Sequence, residues 1–154
     1  MVKEVVDVFR NKPKTFNKSL NMSLPVPPSV NALHYNTSRG GRKLTPKAIA
    51  FTATSRALIN LAVEEQRWDK QGKGVWLYID MVFYFPDRKI RDASNCLKIL
   101  LDVMEGIVYD NDYVCLPRIQ SVKYDKLNPR VELRITHQTK NNRDKGIKTT
   151  KVVL

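Results

Sequence analysis

The sequence predicts a single α+β domain, with about four β-strands and two main flanking helices. Three observations carry that prediction. The chain has 154 residues, which suits one hydrophobic core and leaves little for a second. Residues 46–67 and 93–105 place apolar side chains at helical spacing. Residues 75–85 alternate apolar and less apolar positions as a strand does, and shorter extended stretches occur near both ends of the domain.

The elements follow in order. Residues 1–20 are polar and basic with little periodicity and read as a basic N-terminal arm. Residues 22–26 form a short apolar strand, which Pro25, Pro27 and Pro28 break. Residues 29–43, with SRGGRK at 38–43, lack periodicity and read as a basic loop. Thr45 followed by Pro46 is a helix start, a capping hydroxyl and then proline at the first helical position. The helix runs to about Arg67, with Ile49, Ala53, Ala57, Leu58, Leu61 and Ala62 as its apolar stripe. Gly72 and Gly74 punctuate the connection to the strand at 75–85, whose inner face is Val75, Leu77, Ile79, Met81, Phe83 and Phe85. A second helix spans about 93–105 and stops at Gly106. A turn at 110–112 leads into a strand at 113–124, where Pro117 marks an edge or a bulge. The last strand, 130–136, points Val131, Leu133 and Ile135 inward. The folded domain is thus 21–136, and 137–154 reads as a basic C-terminal tail.

Charge narrows the partners. Lys and Arg number 27 against 15 Asp and Glu, a net charge of +12. Such a balance points to a polyanion, of which nucleic acid is the commonest; a well-solvated basic surface is the plain alternative. No apolar run long enough to span a membrane occurs, and the first residues lack a secretory signal pattern. Cys96 and Cys115 are too few for a disulfide framework or a zinc site and read as reduced core residues of a cytoplasmic protein.

The chemistry concentrates between Arg91 and Asp112. On a helix, Asp92, Asn95, Lys98 and Asp102 fall opposite the stripe of Leu97, Leu100, Leu101 and Met104. Acids where a DNA backbone must dock are unfavourable unless a cation lies between them. Magnesium suits such a place, since it takes oxygen ligands and needs only one or two carboxylates plus a phosphate. The plainer reading keeps Asp92 as a helix cap and Asp110 to Asp112 as a turn.

Three segments then resemble a known family. SLPVPPSVN at 23–31 resembles the opening strand and PPS-N motif of RusA Holliday junction resolvases. FPDRKIRDASNCLK at 85–98 is similar to their PDRRRRDxDNxxK segment, and LDVMEGIVYDND at 101–112 to their LDALxGxxxxDD segment. Order and spacing agree over residues 22–136. The resemblance implies a RusA-like mixed sheet with flanking helices. It also implies a homodimer that resolves branched DNA, a four-way junction, by paired metal-dependent hydrolysis. By position, Asp92 and Asp112 match the catalytic, metal-binding aspartates, and Lys98 matches the lysine near the scissile phosphate. Asn95 matches the asparagine that follows the motif's second aspartate, and Asn31, Arg88, Lys89, Arg91 and Asn95 are expected to bind DNA. The implied cofactor is Mg2+, with Mn2+ as the less demanding substitute, and no small-molecule cofactor is implied.

Two departures matter. Ser94 stands where the family has a second aspartate, and Asn111 stands before Asp112 where the family has a pair. Ser94 is at best a weak neutral ligand, and Asp110 or Asp102 is the nearby acid that can substitute. Fewer charged ligands predict weaker Mg2+ binding than in the relatives. Besides the nuclease, a junction-binding protein that cuts poorly and a basic RNA-binding module remain open; no aromatic RNA-recognition motif favours the last. Arg39, Arg42 and Lys43 are expected to contact phosphate, and Tyr35 to pack or to stack on an unpaired base. His34 and His137 lie far apart and support no metal site.

Overall fold

The computed structural model describes residues 16–138. Most of the expected arm and tail therefore lies outside the described residues. Within them the chain forms β1 (Ser19–Leu24), β2 (His34–Asn36), β3 (Arg42–Leu44), α1 (Pro46–Glu65), β4 (Leu77–Phe85), α2 (Leu97–Met104), β5 (Cys115–Tyr124) and β6 (Arg130–His137). Short 3-10 turns stand at Val30–Ala32, Ala93–Cys96 and Asp112–Val114.

The main sheet has the order β1-β6-β4-β5. β6 is antiparallel to both β1 and β4, whereas β4 and β5 run parallel. The sheet is mixed for a simple reason: a parallel pair needs a crossover, and α2 with its preceding turn supplies it. The α+β fold expected from the sequence is the fold observed. Along β4, Leu77, Ile79, Met81, Phe83 and Phe85 are buried against the helices, together with Leu20, Leu24, Val131, Leu133 and Ile135.

The opposite sheet face carries its own polar cover. Arg118 donates from Nε and Nη2 to the two oxygens of Asp80 at 2.7 and 2.8 Å. Its guanidinium lies 3.8 Å from the Tyr78 ring centroid, and that of Arg130 lies 3.8 Å from the Tyr84 ring. Stacked guanidinium groups keep this uncovered face compatible with water. Pro117 sits on the edge strand, and the pairing skips from Ile119 to Ser121 opposite Met81 and Val82, so Gln120 occupies a bulge. The edge position is the one of the two expected alternatives that holds at Pro117 itself, which pairs in register with Ile79.

Four expectations need correction. The first strand is Ser19–Leu24, not 22–26, because Pro25 has no N–H for the ladder and the pairing with β6 extends backward instead. Residues 29–43 are not a plain loop: β2 and β3 pair antiparallel as a hairpin. Its strands have only three residues each, too short for alternation to show. The α1 stripe is also different. Ala48, Phe51, Ser55, Ile59 and Ala62 face inward, while Ile49, Leu58 and Leu61 are 55%, 38% and 50% exposed. The helix is apolar on more than one side, and the bulk of Phe51 and Ile59 settles which side meets the sheet. Finally, residues 93–105 are not one helix. A 3-10 turn precedes α2, and the buried stripe is Ile99, Leu100, Val103 and Met104, turned by a little under one residue position.

The start of α1 matches its sequence signal. Thr45 Oγ1 accepts from Ala48 N at 3.2 Å, and Pro46 follows. At the far end Gln66 ties α1 to β1, exchanging bonds of 2.9 and 2.6 Å with the Asn21 backbone. Trp68 then closes the core, its Nε1 donating to Val108 O at 3.0 Å.

Candidate active site

The candidate site residues lie on three chain segments. The first is the loop after β4. Asp87 Oδ1 accepts from Lys89 N at 3.0 Å and from Arg91 Nη1 at 2.5 Å. The Arg91 guanidinium, with that backbone bond, holds the Asp87 carboxyl down to about 2. Arg91 also lies over the Phe85 ring, and Arg88 over Tyr124. Arg88, Lys89 and Arg91 are all exposed, and the fully exposed Ile90 stands among them.

Asp92 caps the 3-10 turn that follows. Its Oδ1 accepts from Ser94 N at 2.9 Å and from Ser94 Oγ at 2.6 Å. The Ser94 hydroxyl and then its N–H hold the Asp92 carboxyl below the usual carboxylate range. Asp92, Asn95 and Arg91 line a cleft whose other wall is Pro25, Pro27, Pro28, Ser29 and Ala32. The proline motif and the RD-x-x-N motif, far apart in sequence, therefore share one cleft. Asn31 is exposed on the adjoining turn.

The third segment closes the group. Lys98 Nζ meets Asp102 Oδ1 at 2.7 Å, one helical turn apart on α2. Glu105 ends the helix in an extended conformation, and Gly106 turns the chain with a φ of 83°. Gly106 N donates to Tyr109 O at 2.7 Å, and the buried Tyr109 hydroxyl donates to Leu101 O at 2.6 Å. Asn111 Oδ1 accepts from Tyr113 N at 3.1 Å and so caps the turn that Asp112 opens. The return brings one carboxylate oxygen each of Asp102, Glu105 and Asp112 within 4.8 Å of one another. Asp102 first, then Asp112 and Glu105, raise the Lys98 pKa and keep its ammonium charged.

Asp112 and Lys98, expected at the site, are thus together with Asp102. Among the described residues, Asp92 and Ser94 stand outside the three-carboxylate group and form a pair of their own. Asp110 is turned away, 3.1 Å from Lys70 Nζ and beside Gly72. Glu105 is the residue that sequence reasoning missed. No local spacing marks it, because Glu105 follows the end of α2 in an extended conformation and joins the group through the return at Gly106. Arg42 and Lys43 lie exposed on β3, and Arg39 at the hairpin tip, where Thr37 Oγ1 accepts from Gly41 N at 3.0 Å.

Three converging carboxylate oxygens are hard donors, and their charge and spacing fit a divalent cation of the Mg2+ or Mn2+ type. The ammonium of Lys98 beside them adds a group suited to phosphate. Fold and site together define a class: a small α+β domain of basic charge with a carboxylate–lysine centre at the end of its crossover. The family model of endodeoxyribonuclease RusA matches residues 25–136, and the chain belongs to the RusA endodeoxyribonuclease family. No curated protein matches the sequence as a relative. No helix among the described residues is long and apolar enough to cross a membrane.

Proposed function

We propose that the chain is a cytoplasmic, divalent-metal-dependent endodeoxyribonuclease that nicks four-way DNA junctions in recombination and repair, working as a homodimer. The observation that carries this reading is the group Asp102, Glu105 and Asp112 held beside Lys98 in a chain of net charge +12. DNA repels such a group unless a cation intervenes.

In this reading Asp112, Asp102 and Glu105 would hold Mg2+ or Mn2+ through carboxylate oxygens, and the bound ion would supply Lewis acidity for phosphoryl transfer to water. Lys98, fixed by Asp102 and kept protonated, places a positive charge against the phosphate and the leaving oxygen. Asp92 and Asn95 face the cleft, where they orient the strand. Arg88, Lys89 and Arg91 beside them, and Arg39, Arg42 and Lys43 on the hairpin, grip phosphates without reading bases, which suits recognition by shape. Two subunits about a two-fold axis match the two-fold character of a junction and cut it on paired strands.

A second reading has one observation in its favour. Ser94 spends its hydroxyl on Asp92 instead of adding a carboxylate, which favours a protein that binds junctions and cuts them slowly. Cleavage of a synthetic four-way junction across metals separates the two. Metal-dependent paired nicks support the nuclease, and tight binding without nicks with either metal supports the binder.

A further inference from the structure

The outer face of α1 has no partner among the described residues. The helix has 20 residues, which makes it about 30 Å long. Its inner side meets the sheet through Phe51 and Ile59. On its outer side Lys47, Ala50, Thr54, Ala57, Leu61 and Glu64 are all exposed. These positions are spaced three, four, three, four and three apart, the seam of one helix packing lengthwise on another. Leu61, the one large apolar side chain of the seam, is 50% exposed. The seam thus sets small side chains and one exposed leucine between a cation and an anion.

We propose that this face is an isologous interface between two copies of the chain, with the two α1 helices antiparallel. The inference rests on the two-subunit reading given above and names the surface that forms the pair. The seam is self-complementary when reversed. Lys47 meets the partner's Glu64, Ala50 meets the partner's Leu61, and Thr54 meets the partner's Ala57. A two-fold axis repeats each pair. Charge complementarity argues for a second copy over a foreign protein. The seam carries one cation at its start and one anion at its end, and neither makes an ion pair within the described residues. Reversal joins them at both ends, and a parallel arrangement sets like charges together. The small side chains of Ala50, Thr54 and Ala57 let the backbones approach closely. A groove lined by Val26, Pro28, Ala50, Phe51 and Thr54 lies beside Ala50, where the partner's leucine enters.

Sedimentation equilibrium of the full chain tests this, with wild type, Leu61→Glu, Lys47→Glu and Lys47→Glu/Glu64→Lys compared. All the changed side chains are exposed, so far-UV circular dichroism should match wild type in each. The expected result is a dimeric wild type and a monomeric L61E. K47E should be weakened about tenfold or more, and the double reversal should restore association. A dimer that L61E and K47E leave intact overturns the proposed face while leaving the two-subunit reading standing. A wild type that stays monomeric at all concentrations overturns both.

Discussion

The Ser94 hydroxyl donates to Asp92 Oδ1 across 2.6 Å, at the position where the chain departs from its family's acidic pattern. The serine thus stabilises the ionised aspartate but adds no charge of its own. Ser94→Ala should move the Asp92 carboxyl pKa upward, toward the ordinary value, in a carboxyl NMR titration. Ser94→Asp adds its charge outside the group of Asp102, Glu105 and Asp112, so Mn2+ affinity should change little. A tightening of about tenfold in a titration followed by electron paramagnetic resonance would place position 94 among the ligands.

Glu105 is expected to make up part of that missing charge. Glu105→Gln should weaken Mn2+ binding, and Glu105→Asp should retain more of it. An E105Q protein that binds metal as wild type does removes Glu105 from the ligand set. Its exposed neighbour Asp110, tied to Lys70, is the control: Asp110→Asn should leave metal affinity unchanged.

In the proposed reaction Lys98 acts in its charged form. Lys98→Ala should lower single-turnover cleavage by about 100-fold or more while junction affinity changes little. Asp102→Asn removes the largest cause of the raised Lys98 pKa, so that pKa should fall toward its ordinary value. A loss of affinity equal to the loss of rate would reassign Lys98 to simple DNA binding.

The Asp87–Arg91 tie sets an acid limit on the loop that leads to the site. Asp87 has a folded pKa held down to about 2, below its unfolded value of about 3.9. Its contribution is therefore fully present above about pH 4 and is lost as pH falls toward about 2. The Asp87 carboxyl resonance should titrate in that low window, and Arg91→Ala should move it upward.

Tyr109 ties the return after Gly106 to α2. Its hydroxyl donates to Leu101 O at 2.6 Å from a fully buried ring. Tyr109→Phe leaves that carbonyl short of a donor and should cost about 1–3 kcal/mol in denaturant unfolding. No change in stability would mean that water replaces the hydroxyl.

Strong local signals made much of the molecule legible in its sequence. Thr45-Pro46 marks the start of α1, the alternation through Phe85 marks β4, and Gly106 marks the turn behind α2. The hairpin at 34–44 was not legible, because each strand is three residues long and its pairing rests on the Thr37–Gly41 bonds. The inward side of α1 was hidden for the opposite reason. Apolar residues lie on two sides, and only the choice of Phe51 and Ile59 over Ile49 and Leu61 as core resolves them. At the candidate site, the family resemblance pointed to Asp92, Lys98 and Asp112 as one set, whereas the structure gathers Asp112 with Asp102 and Glu105 and leaves Asp92 paired with Ser94. The place of Glu105 depends on how the chain returns at Gly106 and on the Tyr109 bond, both tertiary facts.

The most direct measurement is cleavage of a synthetic four-way junction by wild type and Asp112→Asn, with Mg2+, Mn2+ or a chelator. The account predicts paired nicks by wild type with metal, none with chelator, and none by D112N despite retained binding. Nicking by D112N at the wild-type rate, or tight binding by wild type with no nicks under either metal, would contradict it.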